Sequence, residues 1–249
     1  MKKLMIAAIL ILGAAGIYAG LRYRAQVYLP RKSLQQDYEK LTQEVAKIRP
    51  ESFQTESAQE TEASPLEKAR QLNGDVVGWI YIPDTNIDFP VVQGEDNDFY
   101  LHHGVDKAEN QLGVPFLDCR CQGDFSGFSS IVYGHHFSEM RMFAQIFSFK
   151  DRAFFDAHRT GYLALDDGVR EVEFFAYLNL RSDSPVYDTK IITGSDKENY
   201  YQTLLSEAVF AEDLDKESLS DKHLLLLSTC TYEFEDARGV LAGVIRDKQ

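Results

Sequence analysis

The chain has 249 residues, 44% of them hydrophobic and 26% charged, with a net charge of −13. That is enough for one substantial folded domain with an appendage, and the acidic balance excludes both a basic nucleic-acid footprint and docking of the folded surface on anionic lipid. Its three cysteines, Cys119, Cys121 and Cys230, are odd in number, and the first two are too close in sequence to pair without strain, which excludes a disulfide scaffold.

Lys2-Lys3 opens the chain and is followed by 4–21, a stretch of 18 residues without a charge. That length is at the lower edge of a membrane-spanning helix. It is long for the apolar region of a signal peptide, and Ile17-Tyr18-Ala19 is a poor small-x-small cleavage site, so an uncleaved anchor is expected. Orientation does not follow from charge, because Lys2 and Lys3 on one side face Arg22, Arg24, Arg31 and Lys32 on the other. Residues 34–48 carry apolar side chains at helical spacing, Leu34, Tyr38, Leu41, Val45 and Ile48. Residues 51–63 are polar, acidic and aperiodic and read as a tether. Ser64-Pro65-Leu66-Glu67 has the form of a capping box with proline at the first helical position. A short helix to about Gly74 should follow. The expected organisation is an anchor over 1–24, a helical and flexible stalk over 25–63, and a folded domain over 64–249.

From Gly78 the pattern changes to short β-like runs at 79–82, 87–92, 99–101, 113–117, 129–133, 162–165, 169–178, 224–229 and 240–245. Pro83-Asp84, Gln93-Gly94 and Asp167-Gly168 punctuate them, and the last is a hairpin signal. Two helical stretches interrupt, 140–149 and 196–210. The first carries Met142, Phe143, Ile146 and Phe147 as a core-packing stripe. The strand count, without alternating long helices, predicts a closed or sandwiched β domain.

Three strand ends carry chemistry. Residues 224–229 run out through Ser228-Thr229-Cys230-Thr231, a polar exit that puts the thiol at the strand's mouth. A cysteine after four leucines is otherwise an ordinary buried thiol. A nucleophilic thiol needs a partner that lowers its pKa, often a histidine remote in sequence. The run at 129–133 ends in Gly134-His135-His136. Adjacent side chains point different ways, so only one of the two should face Cys230, and the residues do not choose between them. Arg238 opens the final strand. If that strand returns antiparallel to 224–229, the guanidinium lies beside Cys230 and can stabilise an oxyanion on an attacked carbonyl. Cys119-Arg120-Cys121 with His102-His103 has the wrong spacing for a zinc motif and reads as surface or packing thiols.

Leu226-Leu227-Ser228-Thr229-Cys230 resembles the T-L-x-T-C signature of sortases, the membrane-anchored cysteine transpeptidases of Gram-positive cell surfaces. Leu226 stands where the signature has threonine. The resemblance is to class B, through Trp79-Ile80-Tyr81-Ile82-Pro83, Pro90-Val91-Val92-Gln93-Gly94, Phe116-Leu117-Asp118, Tyr133-Gly134-His135-His136 with Met142-Phe143, and Cys230-Thr231-Tyr232-Glu233-Phe234 with Arg238. Every motif is in order over 75–246. The pair Cys119 and Cys121 departs from the usual class B pattern.

The resemblance implies a closed eight-stranded β-barrel with added helices, N-terminal ones and 196–210 before the cysteine strand, preceded by one transmembrane helix. It implies Cys230 as nucleophile, His135 as acid/base partner and Arg238 as holder of the substrate and its oxyanion. Asn97, Leu101, Ser228 and Thr229 would line the substrate groove. The implied reaction cleaves a sorting signal of the NPxTx kind after threonine, through a thioacyl-enzyme. The acyl group passes to an amine of a cell-wall precursor or of a pilin. Implied partners are surface proteins with a C-terminal sorting signal and the membrane, through 4–21; nucleic acid is not one. The implied location is the cell membrane, single-pass, with the catalytic domain outside. No metal or cofactor is expected. Two rivals use the same residues differently: a tethered papain-like hydrolase, and a non-enzymatic β module in which Cys230 is merely buried.

Overall fold

The computed structural model describes residues 29–53, 64–137, 141–191, 193–212, 221–230 and 236–246, together with Tyr18 and Arg22. The expected membrane segment, 4–21, lies outside the described residues apart from Tyr18. Among the described residues no helix is long and apolar enough to cross a membrane. The chain divides into two compact units, Met1–Gln43 and Glu44–Gln249, and the second holds every candidate site residue.

Helix α1 (Leu29–Ile48) has the register expected for 34–48, with an earlier start. Just past its end, Arg49 pairs with Asp88 at 2.6 Å and lies 5.0 Å over the Tyr81 ring, while Trp79 donates to the same carboxylate at 2.7 Å. Residues 44–53 are therefore tied to the barrel's unit. Helix α2 (Glu67–Leu72) begins later than a capping box at Ser64 requires. Instead the Ser64 hydroxyl accepts from Leu66 N at 3.1 Å and donates to Asp166 at 2.9 Å.

Among the described residues eleven strands follow: β1 (Val76–Tyr81), β2 (Asp88–Val92), β3 (Phe116–Leu117), β4 (Ser129–Gly134), β5 (His136–Phe137), β6 (Arg141–Met142), β7 (Thr160–Leu165), β8 (Gly168–Arg181), β9 (Ala208–Ala211), β10 (His223–Cys230) and β11 (Ala237–Ile245). Eight of them close a barrel in the order β11-β10-β4-β3-β2-β1-β7-β8, with β8 pairing back onto β11. Closure removes the open edges that an extended sheet would expose. The β7–β8 hairpin turns where Asp167-Gly168 predicts it, and Gly168 supplies a φ of 135°. Strand β9 attaches to β8 outside the ring.

Some short runs take other forms. Residues 99–101 are a 3-10 turn (Phe99–Leu101), because Asp96 Oδ1 accepts from the backbone of Asp98 and Phe99, each at 2.9 Å, and this local bonding displaces a strand. The stretch expected as a helix over 140–149 is strand β6 followed by a 3-10 helix (Phe143–Lys150). Helix α3 (Arg152–Ala157) follows it, capped by Asp151. The expected helix 196–210 is α4 (Gly194–Glu207), which opens on a capping box between Thr193 and Asp196 and stops before β9. Phe210 then packs on Phe155, with ring centroids 5.0 Å apart.

Two apolar clusters divide the barrel wall by strand parity. Val132, Leu225, Leu227 and Leu241 point into the interior with Phe143 and Phe149. Ile131, Leu224, Leu226, Val240 and Ala242 point outward, under Tyr200, Tyr201 and Leu204 of α4. A strand's period of two fixes which residues further along share each face.

Candidate active site

Strands β4, β10 and β11 lie side by side, β4 parallel and β11 antiparallel to β10. Thr229 stands opposite Gly134, and Cys230 opposite Arg238. One residue past Gly134 is His135. Adjacent strands are about 4.8 Å apart, so positions 135, 230 and 238 form a short row across three strand ends. The register brings together residues that lie far apart in sequence.

Parity separates the two histidines. His135 continues the outward series Ile131, Tyr133, the series that on β10 holds Ser228 and on β11 holds Arg238. His136 has the opposite parity and opens β5, where it pairs with Met142, and its ring stands edge-on to Phe147 at 6.4 Å. Gly134 allows the close approach beneath them: a Cβ there would stand 2.6 Å from Phe143 Cγ.

His135 Nε2 lies 2.8 Å from the Leu101 carbonyl oxygen. A carbonyl can only accept, so Nε2 carries a proton and Nδ1 is the atom that gains and loses one. Burial holds the His135 pKa below its usual value; the Leu101 bond raises it in part, and nearby His102, with its ring 6.4 Å away, lowers it again. An NMR titration should therefore give His135 a midpoint below the ordinary 6.5. In His102→Asn the midpoint should rise, because one opposing cation is gone; a fall would contradict this electrostatic assignment.

The Leu101 carbonyl is itself fixed. In the same turn the Tyr100 hydroxyl donates to Asp75 at 2.6 Å and accepts from Asn73 at 2.9 Å, and Lys107 pairs with Asp75 at 2.8 Å. The turn is crossed by Gly113 at a φ of +60°, where a Cβ would stand 2.4 Å from the Tyr100 carbonyl oxygen.

The three strand ends open into a groove of about 740 Å³. Asn97, Leu101, His135, Ser228, Thr229 and Arg238 all line it. These are six of the seven site residues that the sortase resemblance implies, and the seventh, Cys230, is known by its backbone register. The guanidinium of Arg238 donates to the Ala237 carbonyl at 3.0 Å. Asn97 accepts from Cys119 N at 2.8 Å, and Ser228 shares a 2.9 Å hydrogen bond with the Tyr187 hydroxyl.

Sequence reasoning missed the opposite wall, the segment after β8 that includes Ser182, Pro185, Tyr187 and Asp188. It leaves β8 beside the start of β11, where Ser182 N donates to the Asp236 carbonyl at 3.1 Å. Only Pro185, at the start of a 3-10 turn, marks it in the sequence. Asp118 was also missed as a site residue. It is fully buried and receives Arg120 at 2.9 and 2.7 Å and the Tyr133 hydroxyl at 3.1 Å. Burial alone would raise its carboxyl pKa, but the hydrogen bonds, led by Arg120, hold it below the usual range. Cys121 faces the Ser129 carbonyl at 3.7 Å, and burial pushes its thiol up to about 11. Among the described residues no three His, Cys, Asp or Glu side chains gather as a metal site.

A second cavity, of about 490 Å³, sits at the other end of β10 and β11, beside His223 and Ile245. Its three arginines are already paired, Arg70 with Asp166 and Arg170 with Asp167 at 2.5 Å each, and Arg246 with Glu173. Of these two cavities among the described residues, it is the groove that combines a strand-end thiol position with an imidazole and a guanidinium. A groove of this size suits an extended peptide of a few residues, and its chemistry suits acyl transfer.

No family model matches the chain. The sortase B of Listeria monocytogenes is 34% identical over 187 residues, covering 74% of this chain and 74% of that protein. The crystal structure of Clostridium perfringens sortase B superposes with a TM-score of 0.67 at 33% identity, covering 73% of this chain and 99% of that one. A Staphylococcus aureus sortase B–substrate complex shares the fold with a TM-score of 0.73 at 23% identity, over 89% of this chain and 100% of that one.

Proposed function

Because this chain belongs to the sortase B family of cysteine transpeptidases, we propose that Cys230, His135 and Arg238 are its acyl-transfer site. The observation that carries the reading is the register of three adjacent strand ends, with Cys230 opposite Arg238 and His135 one residue past the partner of Thr229.

The reaction follows from that row. A surface protein's sorting signal, of the NPxTx kind, lies extended in the groove against Asn97, Leu101, Ser228 and Thr229. The Cys230 sulfur attacks the threonine carbonyl, and its proton goes to Nδ1 of His135. Negative charge develops on the carbonyl oxygen, and the Arg238 guanidinium stabilises it. The C–N bond breaks and the same imidazole nitrogen protonates the leaving amine. A thioester remains. An amine of a cell-wall precursor or of a pilin then attacks, gives a proton back to His135, and leaves as the new amide while the thiol reforms. Burial of His135 suits this cycle, since a neutral imidazole can start it by taking the thiol's proton. The apolar segment 4–21 would anchor the chain in the cell membrane, with a stalk over 25–63 whose 44–53 part is held to the barrel's unit, and the 64–249 domain outside.

The test is a transfer assay on the full chain with an NPxTx peptide and a soluble amine. An amide joining the two supports the reading. Hydrolysis alone, at any amine concentration, would make the protein a peptidase. Arg238→Lys should also fail, by about 100-fold in turnover, because a point charge does not reproduce the guanidinium's planar donors. Near-normal turnover would mean that charge alone suffices.

A further inference from the structure

Arg120 connects the two walls of the groove. Its Nε and Nη2 grip both oxygens of Asp118 on one side, at 2.9 and 2.7 Å, and Nη2 also donates to the Tyr187 carbonyl on the other, at 3.2 Å. The surrounding bonds make this a frame. Asp118 also holds the Tyr133 hydroxyl at 3.1 Å, Tyr133 stacks against Tyr187 with centroids 6.2 Å apart, and the Tyr187 hydroxyl bonds Ser228. All of these side chains except Asp118 line the groove.

A surface arginine this well fixed is unusual, since the entropy of its long chain normally outweighs one exposed pair. Here the partner is a fully buried carboxylate, and the arginine side chain is half exposed. Two of its nitrogens are committed. Nη1 makes no hydrogen bond among the described residues, and the half-exposed side chain that carries it lines the groove.

We propose that Arg120 binds the sorting peptide, donating from Nη1 to an acceptor oxygen of the bound segment while its bridge to Tyr187 sets the width of the groove. The inference rests on the acyl-transfer reading of the same groove. Because Asp118 cancels the charge, the fork selects a neutral acceptor, a backbone carbonyl or an amide side chain, over a carboxylate.

The test compares the full-length wild type with Arg120→Lys and Arg120→Met, using NPxTx peptides shortened one residue at a time from the N-terminus. The Lys variant leaves Asp118 a cation if the Met variant does not fold. KM should rise about tenfold in both, with kcat and the rate of Cys230 alkylation unchanged. One truncation step that weakens binding to the wild type should have no effect in the Met variant, as expected for two groups that act through each other. An unchanged KM in folded Arg120→Lys would overturn the proposal. So would losses of kcat, alkylation rate and melting midpoint together, which mark a purely structural role. If the wild type cleaves none of the peptides, the acyl-transfer reading fails, and this inference with it. Wild-type turnover with an unaffected Lys variant removes Arg120 alone.

Discussion

Cys230→Ala abolishes cleavage of a sorting-signal peptide and leaves the melting midpoint close to that of the wild type. The loss should be about a millionfold, the scale on which removing a covalent nucleophile acts. The fold should survive because residue 230 is the last of β10, beyond the leucines that fill both clusters. The ladder with β11 is made by the backbone, which alanine keeps. Circular dichroism and thermal melting check the fold, and chromatography of the peptide checks the activity. Residual turnover near the wild-type rate would end the acyl-enzyme reading and leave Cys230 as an ordinary strand-end thiol.

His135→Ala should cost about 1,000-fold in kcat/KM, within the range general acid–base catalysis spans, while His136→Ala should cost far less. The contrast follows from parity. His135 lines the groove, and its Nε2 is held by the Leu101 carbonyl, which commits Nδ1 to proton transfer. His136 turns to the other face, beside Phe147, in the small β5–β6 pair. Its loss should register as a stability change of about 1 kcal/mol, the usual size for a substitution of this kind. If His136→Ala were the more damaging in kcat/KM at equal stability, the proton would move through the other imidazole and the tautomer argument would fall.

Much of this arrangement is legible in the sequence, for identifiable reasons. Strands β4, β8, β10 and β11 announce themselves because each holds enough β-branched, aromatic or leucine residues to resolve, and Asp167-Gly168 fixes a hairpin. The polar exit Ser228-Thr229-Cys230 marks a strand end. The choice between His135 and His136 is not readable from residue types, because it depends on which face of β4 meets the interior, and that is set by β10 beside it. Residues 99–101 look like a strand, since Phe, Tyr and Leu favour one. A single side chain, Asp96, diverts them into a turn, and that turn holds His135. The Ser182–Asp188 wall has no apolar period, and Pro185 marks a turn there without linking it to the site; the Arg181–Ala237 register brings it beside Arg238. Asp118 looks like any acidic residue at a strand exit, and its burial under Arg120 and Tyr133 belongs to tertiary structure alone.

The most direct measurement is mass mapping of the acyl-enzyme. The full chain is mixed with an NPxTx peptide in the absence of an amine, quenched in acid, digested and read by mass spectrometry. The account predicts an adduct equal to the peptide's portion through threonine, on the fragment carrying Cys230. Hydroxylamine should remove it, as it does a thioester, and it should be absent in Cys230→Ala. Peptide cleavage with no adduct on Cys230, or an adduct carried instead by Cys119 or Cys121, would contradict it.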